Sequence, residues 1–274
     1  MIRALALAAG LAIAAAAPAA HAITNMSSAG DIYATLTIGS LVNGTIGPFT
    51  SASGFSTGAQ PFYASSDTLA SAMGQLGTTG PLATGMSVST GLLSSSASGG
   101  PVTTTASSTI DDLALSVKLA GAPLITLGGP SNVITSTSTA TYVPGGMDTL
   151  VGSSSLTDLT LDVLGDHINL SAYAHAPPNT VVPIAGIVGL VITVNKQVET
   201  ISGGEESILT DALDIDFNDL HLVGLPLSSI VSGDIVLGQS FAEVPEPAAW
   251  MGMLFGFGMM GGLMRRRRGF LAAA

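Results

Sequence analysis

Cysteine is absent from the 274 residues. That removes disulfides, thiolate nucleophiles and thiolate-bound zinc together, while leaving the redox compartment open. Charge is scarce as well: Asp, Glu, Lys and Arg make up 9% of the chain, against roughly a quarter in an average soluble protein. A wet surface must therefore be built from hydroxyls, glycine and a thin set of acids. Positive charge is scarcest and lies at the ends. Arg3 is near the start, Arg265, Arg266, Arg267 and Arg268 form one block near the end, and residues 23–244 hold only Lys118 and Lys196 against 17 acids. Phosphate backbones are held by Lys and Arg that neutralise them, so nucleic acid is excluded as a partner.

The common catalytic motifs are missing too. The sequence contains no Gly-x-Ser-x-Gly elbow, no Ser-x-x-Lys, no His-Glu-x-x-His and no Gly-x-x-x-x-Gly-Lys phosphate loop. A non-enzymatic protein is the expectation.

What is present is concentrated at the two ends. Residues 1–22 read as a secretory signal: Arg3 supplies the positive start, Ala4 to Ala17 the apolar run and Pro18 the break. Ala20-His21-Ala22 then gives a small-x-small cleavage site for signal peptidase after passage through the Sec translocon. Residues 23–244 are the exported body, and residues 245–274 form a tail. The tail opens with Pro245-Glu246-Pro247, held extended by its two fixed φ angles. Uncharged residues 248–264 follow, with Trp250 near the entry, and Arg265 to Arg268 close the segment. Seventeen residues at 1.5 Å each span about 25 Å, a short transmembrane helix with an interfacial Trp and a stop-transfer cluster.

Val244-Pro245-Glu246-Pro247, Trp250, the Gly/Met-rich stretch and the four arginines together resemble the PEP-CTERM sorting signal, in its PEPxxW form. Met251 stands where that form usually has Ala. The resemblance covers about 25 residues. It implies an exosortase substrate of a Gram-negative bacterium, anchored transiently in the inner membrane, cut near Pro245 to Pro247 and released to the cell surface or beyond. It also implies a setting in which extracellular polysaccharide is made, and so a structural or adhesive role beside that polymer.

The body between the ends reads as mainly β. Leu113, Leu115, Val117 and Leu119 alternate with Ala114, Ser116 and Lys118. Leu159, Leu161 and Val163 do the same, as do Leu213, Ile215 and Phe217, and finally Ile235 and Leu237. Period-2 alternation marks strands with one buried face, and Gly128-Gly129-Pro130, Pro144-Gly145-Gly146, Pro177-Pro178-Asn179 and Gly203-Gly204 break the runs. An antiparallel β-sandwich-like body follows, with a β-solenoid as the rival that no constant period supports. Earlier in the chain, residues 32–38 alternate as a strand, and Asn43-Gly44 signals a hairpin turn. Ser65 to Leu76 carries the one hint of a helix, and Leu92 to Thr109 reads as a loop or as a strand with Thr on a wet face. The segment 233–242 faintly resembles the last strand of choice-of-anchor surface domains.

Two further readings rest on titratable residues. Asp211, Asp214, Asp216 and Asp219 cluster within nine residues, and Asp158, Asp162 and Asp166 form a second group. Such carboxylates can serve Ca²⁺, a hard ion wanting six to eight oxygens, so a Ca²⁺-dependent binding module is one alternative. A solvated acidic face is the plainer account, and no other cofactor is expected. His167 and His221 each lie near an Asp, while His175 stands apart, so a His–Asp hydrolase is the remaining alternative.

Overall fold

The computed structural model describes residues 25–39, 42–56, 62–78, 83–143, 147–184, 187–202, 205–221, 230–245 and 259. The chain starts in one layer with β1 (Asn25–Ile38), along whose free edge β2 (Val42–Ile46) and β3 (Ser51–Ser56) pair in turn. It then crosses to a second layer of paired short strands, each pair in line. These are β4 (Tyr63–Leu69) with β5 (Ala72–Gly77), β6 (Gly85–Thr90) with β7 (Leu93–Gly99), and β8 (Thr103–Asp111) with β9 (Ala114–Leu119). β10 (Ala122–Gly128) with β11 (Val133–Thr141), and β12 (Thr149–Thr157) with β13 (Thr160–Val163), complete the row, and β14 (Asp166–Asn169) adds an edge hairpin. The chain returns to the first layer through β15 (Thr180–Val181), β16 (Leu190–Ser202), β17 (Glu205–His221) and β18 (Ile230–Pro245). β18 slots between β17 and β1, joining the last strand to the first.

All strand pairs are antiparallel. The second layer contains two sheets, ordered β12-β11-β8-β7-β4 and β14-β13-β10-β9-β6-β5. Apart from the edge strand β14, their strands match one for one, so this layer is a set of long strands broken at a common latitude. The first layer bends at the same latitude without breaking. In β1 both Asp31 and Ile32 face inward; in β17 both Ala212 and Leu213 do, and in β18 both Leu237 and Gly238. The register is kept across the bend, with Gly30 opposite Gln239 and Ile32 opposite Leu237, and Val194 opposite Leu213 and Lys196 opposite Asp211, so facing strands bend together. Two successive side chains on one face reverse inward and outward positions beyond it. Left-handed residues sit at this waist: Asn195 (φ 53°), Gly238 (φ 63°), Asp112 (φ 49°), Ser131 (φ 56°) and Asp158 (φ 49°). Asn and Asp tolerate that region better than other side chains. Gly238 is required twice over, since a Cβ there would also lie 3.3 Å from that of Ala212.

The waist is sutured by side chains. Asn132, fully buried, accepts the Leu113 N–H at 3.0 Å and donates to the Leu113 and Gly129 carbonyls at 2.9 and 2.8 Å. Asp31 does the same work in the first layer. Its carboxylate accepts the backbone N–H groups of Ile32, Phe49 and Thr50, and the Thr50 hydroxyl.

On one side of the waist the interior is apolar: Ile32, Leu36, Ile38, Leu113, Leu115, Val117, Ile125, Leu127, Leu213, Ile215, Phe217 and Leu237 form one cluster. On the other side many inward positions are small or hydroxylated, among them Ala97, Ala106, Ser108, Ser136, Ser138, Thr210 and Ser240, and Ile208 and Val244 form a small apolar cluster near the end. Here Cα atoms of β8 and β11 come within 8 Å of β18, closer than the ~10 Å usual between stacked sheets. Small side chains permit that approach, and hydroxyls hold it. Ser138 Oγ lies 2.9 Å from Thr210 Oγ1, 2.9 Å from the Ser240 carbonyl oxygen and 3.0 Å from Ser240 Oγ.

Several expectations change. Ser65 to Leu76 is no helix but most of β4 and of β5, and cross-strand pairing decided it. Asn43-Gly44 is not a turn: both residues lie within β2, opposite Thr37 and Leu36. Leu92 to Thr109 is strand and not loop, with Thr105 and Thr109 on the outer face. It forms β7 and most of β8, and Ser95, Thr104 and Ser108 point into the interior. The antiparallel ladders also replace the solenoid alternative.

Candidate functional site: the terminal pole and the hydroxyl face

β1 and β18 run antiparallel with Met26 opposite Glu243, so the start of the first strand and the end of the last meet at one pole. Glu205 faces Pro245 there, and Glu206 faces Val244. Asn25 Nδ2 donates to the Gly100 carbonyl at 2.6 Å, and Thr104 Oγ1 to the Glu243 carbonyl at 3.1 Å, tying the pole across the layers. Ser27 Oγ lies 2.7 Å from Tyr63 Oη. Burial pushes the Tyr63 phenol up, Ser27 partly offsets this, and the charge of Glu243 adds to it.

Glu243 is half-buried, and its carboxyl is pushed up to about 7 by burial and by the neighbouring Glu205. A raised carboxylate pKa means that the folded state holds a proton the unfolded chain releases. Folding stability from this group is therefore present at low pH and lost as pH rises from about 4.5 to about 7. The exposed part of the group screens the effect, so the change is modest. Glu243→Gln is expected to melt higher than the parent above that window and to match it below. Melting curves across the window check this, and parallel curves for the two proteins would refute it.

The final residues of β18 are also where the comparisons point. Residues 243–268 carry the PEP-CTERM protein-sorting motif. The motif thus begins inside a central strand, with no spacer between it and the folded body. It brings export, membrane-associated sorting and processing by exosortase. Of the residues singled out from sequence, Pro245 ends β18, while Glu246, Pro247, Trp250, Arg265 to Arg268, Ala20 and Ala22 lie outside the described residues, as do all of 1–22 and all of 248–264 but Met259. Among the described residues no helix is long and apolar enough to cross a membrane. No curated protein matches the chain. Among solved structures, the beta domain of the Bordetella autotransporter Brka is similar at 11% identity, over 81% of this chain and 98% of that one, with a TM-score of 0.20. At that score the likeness bears on neither fold nor function.

The outer face of the β12-β11-β8-β7-β4 sheet is a grid of hydroxyls. Thr68, Ser94, Thr109, Thr135 and Ser155 stand in register across the five strands, and Ser66, Ser96, Ser107, Thr137 and Ser153 form the next row. Thr105 and Thr139 continue it, with their hydroxyls 3.4 Å apart. No charged side chain interrupts these rows. Spacings are those of the sheet itself, about 4.8 Å between strands and about 6.8 Å between alternate residues. Sequence reading could see the Thr and Ser but not the register that assembles them.

The acids of β17 do not converge. Asp211 is buried and accepts Gln239 Nε2 at 2.9 Å; burial raises its carboxyl, with Gln239 and Lys196 opposing. Asp214 is bonded to Lys196 Nζ, Asp216 is exposed, and Asp219 accepts the Ser232 hydroxyl at 2.8 Å. Burial pulls the Lys196 ammonium down, but Asp214, Asp211 and Asp216 outweigh it and hold it above the usual lysine value. Lys196 thus pairs with Asp214, while Asp211 and Asp216 act on it through charge alone. Among the described residues no three His, Asp or Glu side chains gather to hold a metal.

His167 Nδ1 lies 2.6 Å from Asp162 Oδ1 on the β13–β14 hairpin, with side chains 64% and 46% exposed. A base–orienter pair needs shelter from water that this hairpin does not give. Of the other acids in that group, Asp158 sits at the waist and Asp166 opens β14. His175 is exposed, and the side chain of His221 is outside the described residues.

Proposed function

We propose that this chain is a non-enzymatic protein of a Gram-negative envelope, exported by its residues 1–22 and sorted through its PEP-CTERM tail to the cell surface or matrix. There it acts structurally or adhesively in contact with exopolysaccharide. In this reading residues 248–264 cross the inner membrane until processing, and Arg265 to Arg268 stay on the cytoplasmic side. The hydroxyl grid carries the glycan part of the reading. It offers donors and acceptors at regular spacing in rows free of charged side chains, suited to a neutral polymer that presents hydroxyls in return. The acidic surplus elsewhere disfavours polyanions.

One experiment addresses both parts. The protein is followed by intact mass and fractionation in its exporting host, beside a strain lacking exosortase, with a Thr105→Glu/Thr139→Glu variant in both. The expected parent species starts near Ile23, ends near Pro245, leaves the cell only when exosortase is present and stays with the polysaccharide fraction. The variant is expected to be processed alike but to wash free of the polymer. A tail retained in both strains overturns the sorting reading, and a variant that stays with the polymer overturns the role of the grid.

A further inference from the structure

The pole from which the tail leaves is ringed with exposed apolar side chains from separate segments. Phe55 lies at the end of β3, Phe62 just before β4, Val102 in the β7–β8 turn, Met147 before β12 and Ile201 near the end of β16. Exposures of 58%, 73%, 44%, 90% and 68% show that none is covered by the body itself. Phe55 is opposite Met26 and Ile201 opposite Glu206, which fixes both at this pole. Scattered exposed apolar residues are ordinary, but a ring of them around one pole is not.

The length of chain beyond the pole says what it meets. Only Glu246 and Pro247 separate Pro245 from the apolar stretch that starts at Ala248. Even fully extended, those residues reach about 10 Å. A body tethered so closely cannot stand clear of the bilayer that holds the tail. We propose that this pole docks onto the bilayer through Phe55, Phe62, Val102, Met147 and Ile201, seating the folded body on the membrane until the tail is cut. The proposal rests on the reading of residues 248–264 as membrane-embedded. Charge favours a zwitterionic lipid surface: the two lysines of the body lie away from the pole, Lys196 at the waist and Lys118 in β9. Glu243, with its carboxyl near 7, adds less negative charge at neutral pH than its neighbours suggest. Apolar tips of this kind sit about 5–10 Å into the headgroup–acyl boundary.

The absence of cysteine makes single-site spin labels clean. The full-length chain, made in a host without exosortase so that the tail persists, is reconstituted in phosphatidylcholine vesicles. It carries a label at Val102→Cys (pole), Leu164→Cys (a turn at the opposite end) or Gly256→Cys (tail). Broadening by an aqueous nickel chelate is expected to be lost at 102 and 256 and kept at 164. Phe55→Ser/Phe62→Ser is expected to restore broadening at 102 without altering 256. Broadening at 256 in the parent would show that the tail is not embedded, and docking would fall with it. Protection at 256 with broadening at 102 would overturn the docking alone, leaving the tail reading intact. Protection at 102 that survives the double serine change would also overturn it, because the apolar tips would not be what holds the pole.

Discussion

Asp31→Ala is expected to cost about 3–5 kcal/mol, because it leaves several buried donors without an acceptor. The carboxylate is 1% exposed and binds the N–H groups of Phe49 and Thr50 at 2.9 and 2.8 Å. It also binds the N–H of Ile32 at 2.6 Å and the Thr50 hydroxyl at 3.0 Å. Thr50 Oγ1 passes the connection to Ser95 Oγ at 2.9 Å, so the change reaches the second layer. Removing the acid takes away the acceptor that these backbone N–H groups and the Thr50 hydroxyl share. For a body of this size each kcal/mol moves the melting temperature by about 2–4 °C, so a fall of roughly 10 °C is expected. Asp31→Asn keeps the shape but turns an NH₂ group toward some of the same donors, and is expected to lie between alanine and the parent. A loss under about 1 kcal/mol for alanine in urea melts would mean that the suture does not hold the bend.

The second large effect runs against hydropathy. Ala106→Leu makes a buried position more apolar, yet about 3 kcal/mol of destabilisation is expected. Ala106 is fully buried in β8, opposite Ser138 and Ala97 in its own sheet, where Cα atoms of β8 approach β18 within 8 Å. A leucine there must push the layers apart, and the Ser138–Thr210–Ser240 contacts beside it resist. Ser107→Val, one residue along and on the outer face, is the control and is expected to change the melting temperature little. If Ala106→Leu melts like the parent, the close approach of the layers at this end is wrong.

These two positions also mark where sequence reading stops. The apolar half was legible: Leu113 to Leu119, Leu159 to Val163, Leu213 to Phe217 and Ile235 to Leu237 each form strands whose named residues face the core. Their alternation contrasts strong hydrophobes with polar residues, and that contrast is what a period-2 search detects. Past the waist the same strands continue, but the contrast disappears. In β11 the inward Ser136, Ser138 and Ala140 differ little in hydropathy from the outward Thr135, Thr137 and Thr139. The phase also reverses at the bend, so a pattern extended from Leu237 would put Ser240 and Ala242 on the wrong face. The waist did leave a trace, since Asp31, Asp112, Asp158 and Asp211 stand at or beside the bends. In the sequence Asp158 and Asp211 read as parts of acidic clusters, and Asp31 and Asp112 do not stand out.

What the sequence determined by itself is chemical and local. Its scarcity of cation argues against nucleic acid as a partner, and its strong alternating runs gave a mainly β, antiparallel body. The ordered Pro-Glu-Pro, Trp and Arg segment gave the sorting motif, because that signal is read as a linear peptide. Tertiary structure alone decided what depends on distant pairing. Met26 meets Glu243 more than two hundred residues along the chain, which brings both ends to one pole. The five-strand register converts dispersed Thr and Ser into a grid, and Lys196 reaches Asp214 to pair an acid that sequence left free for calcium. A strand takes its partner from the whole fold and not from its neighbours in the chain, so none of these could be read along the chain.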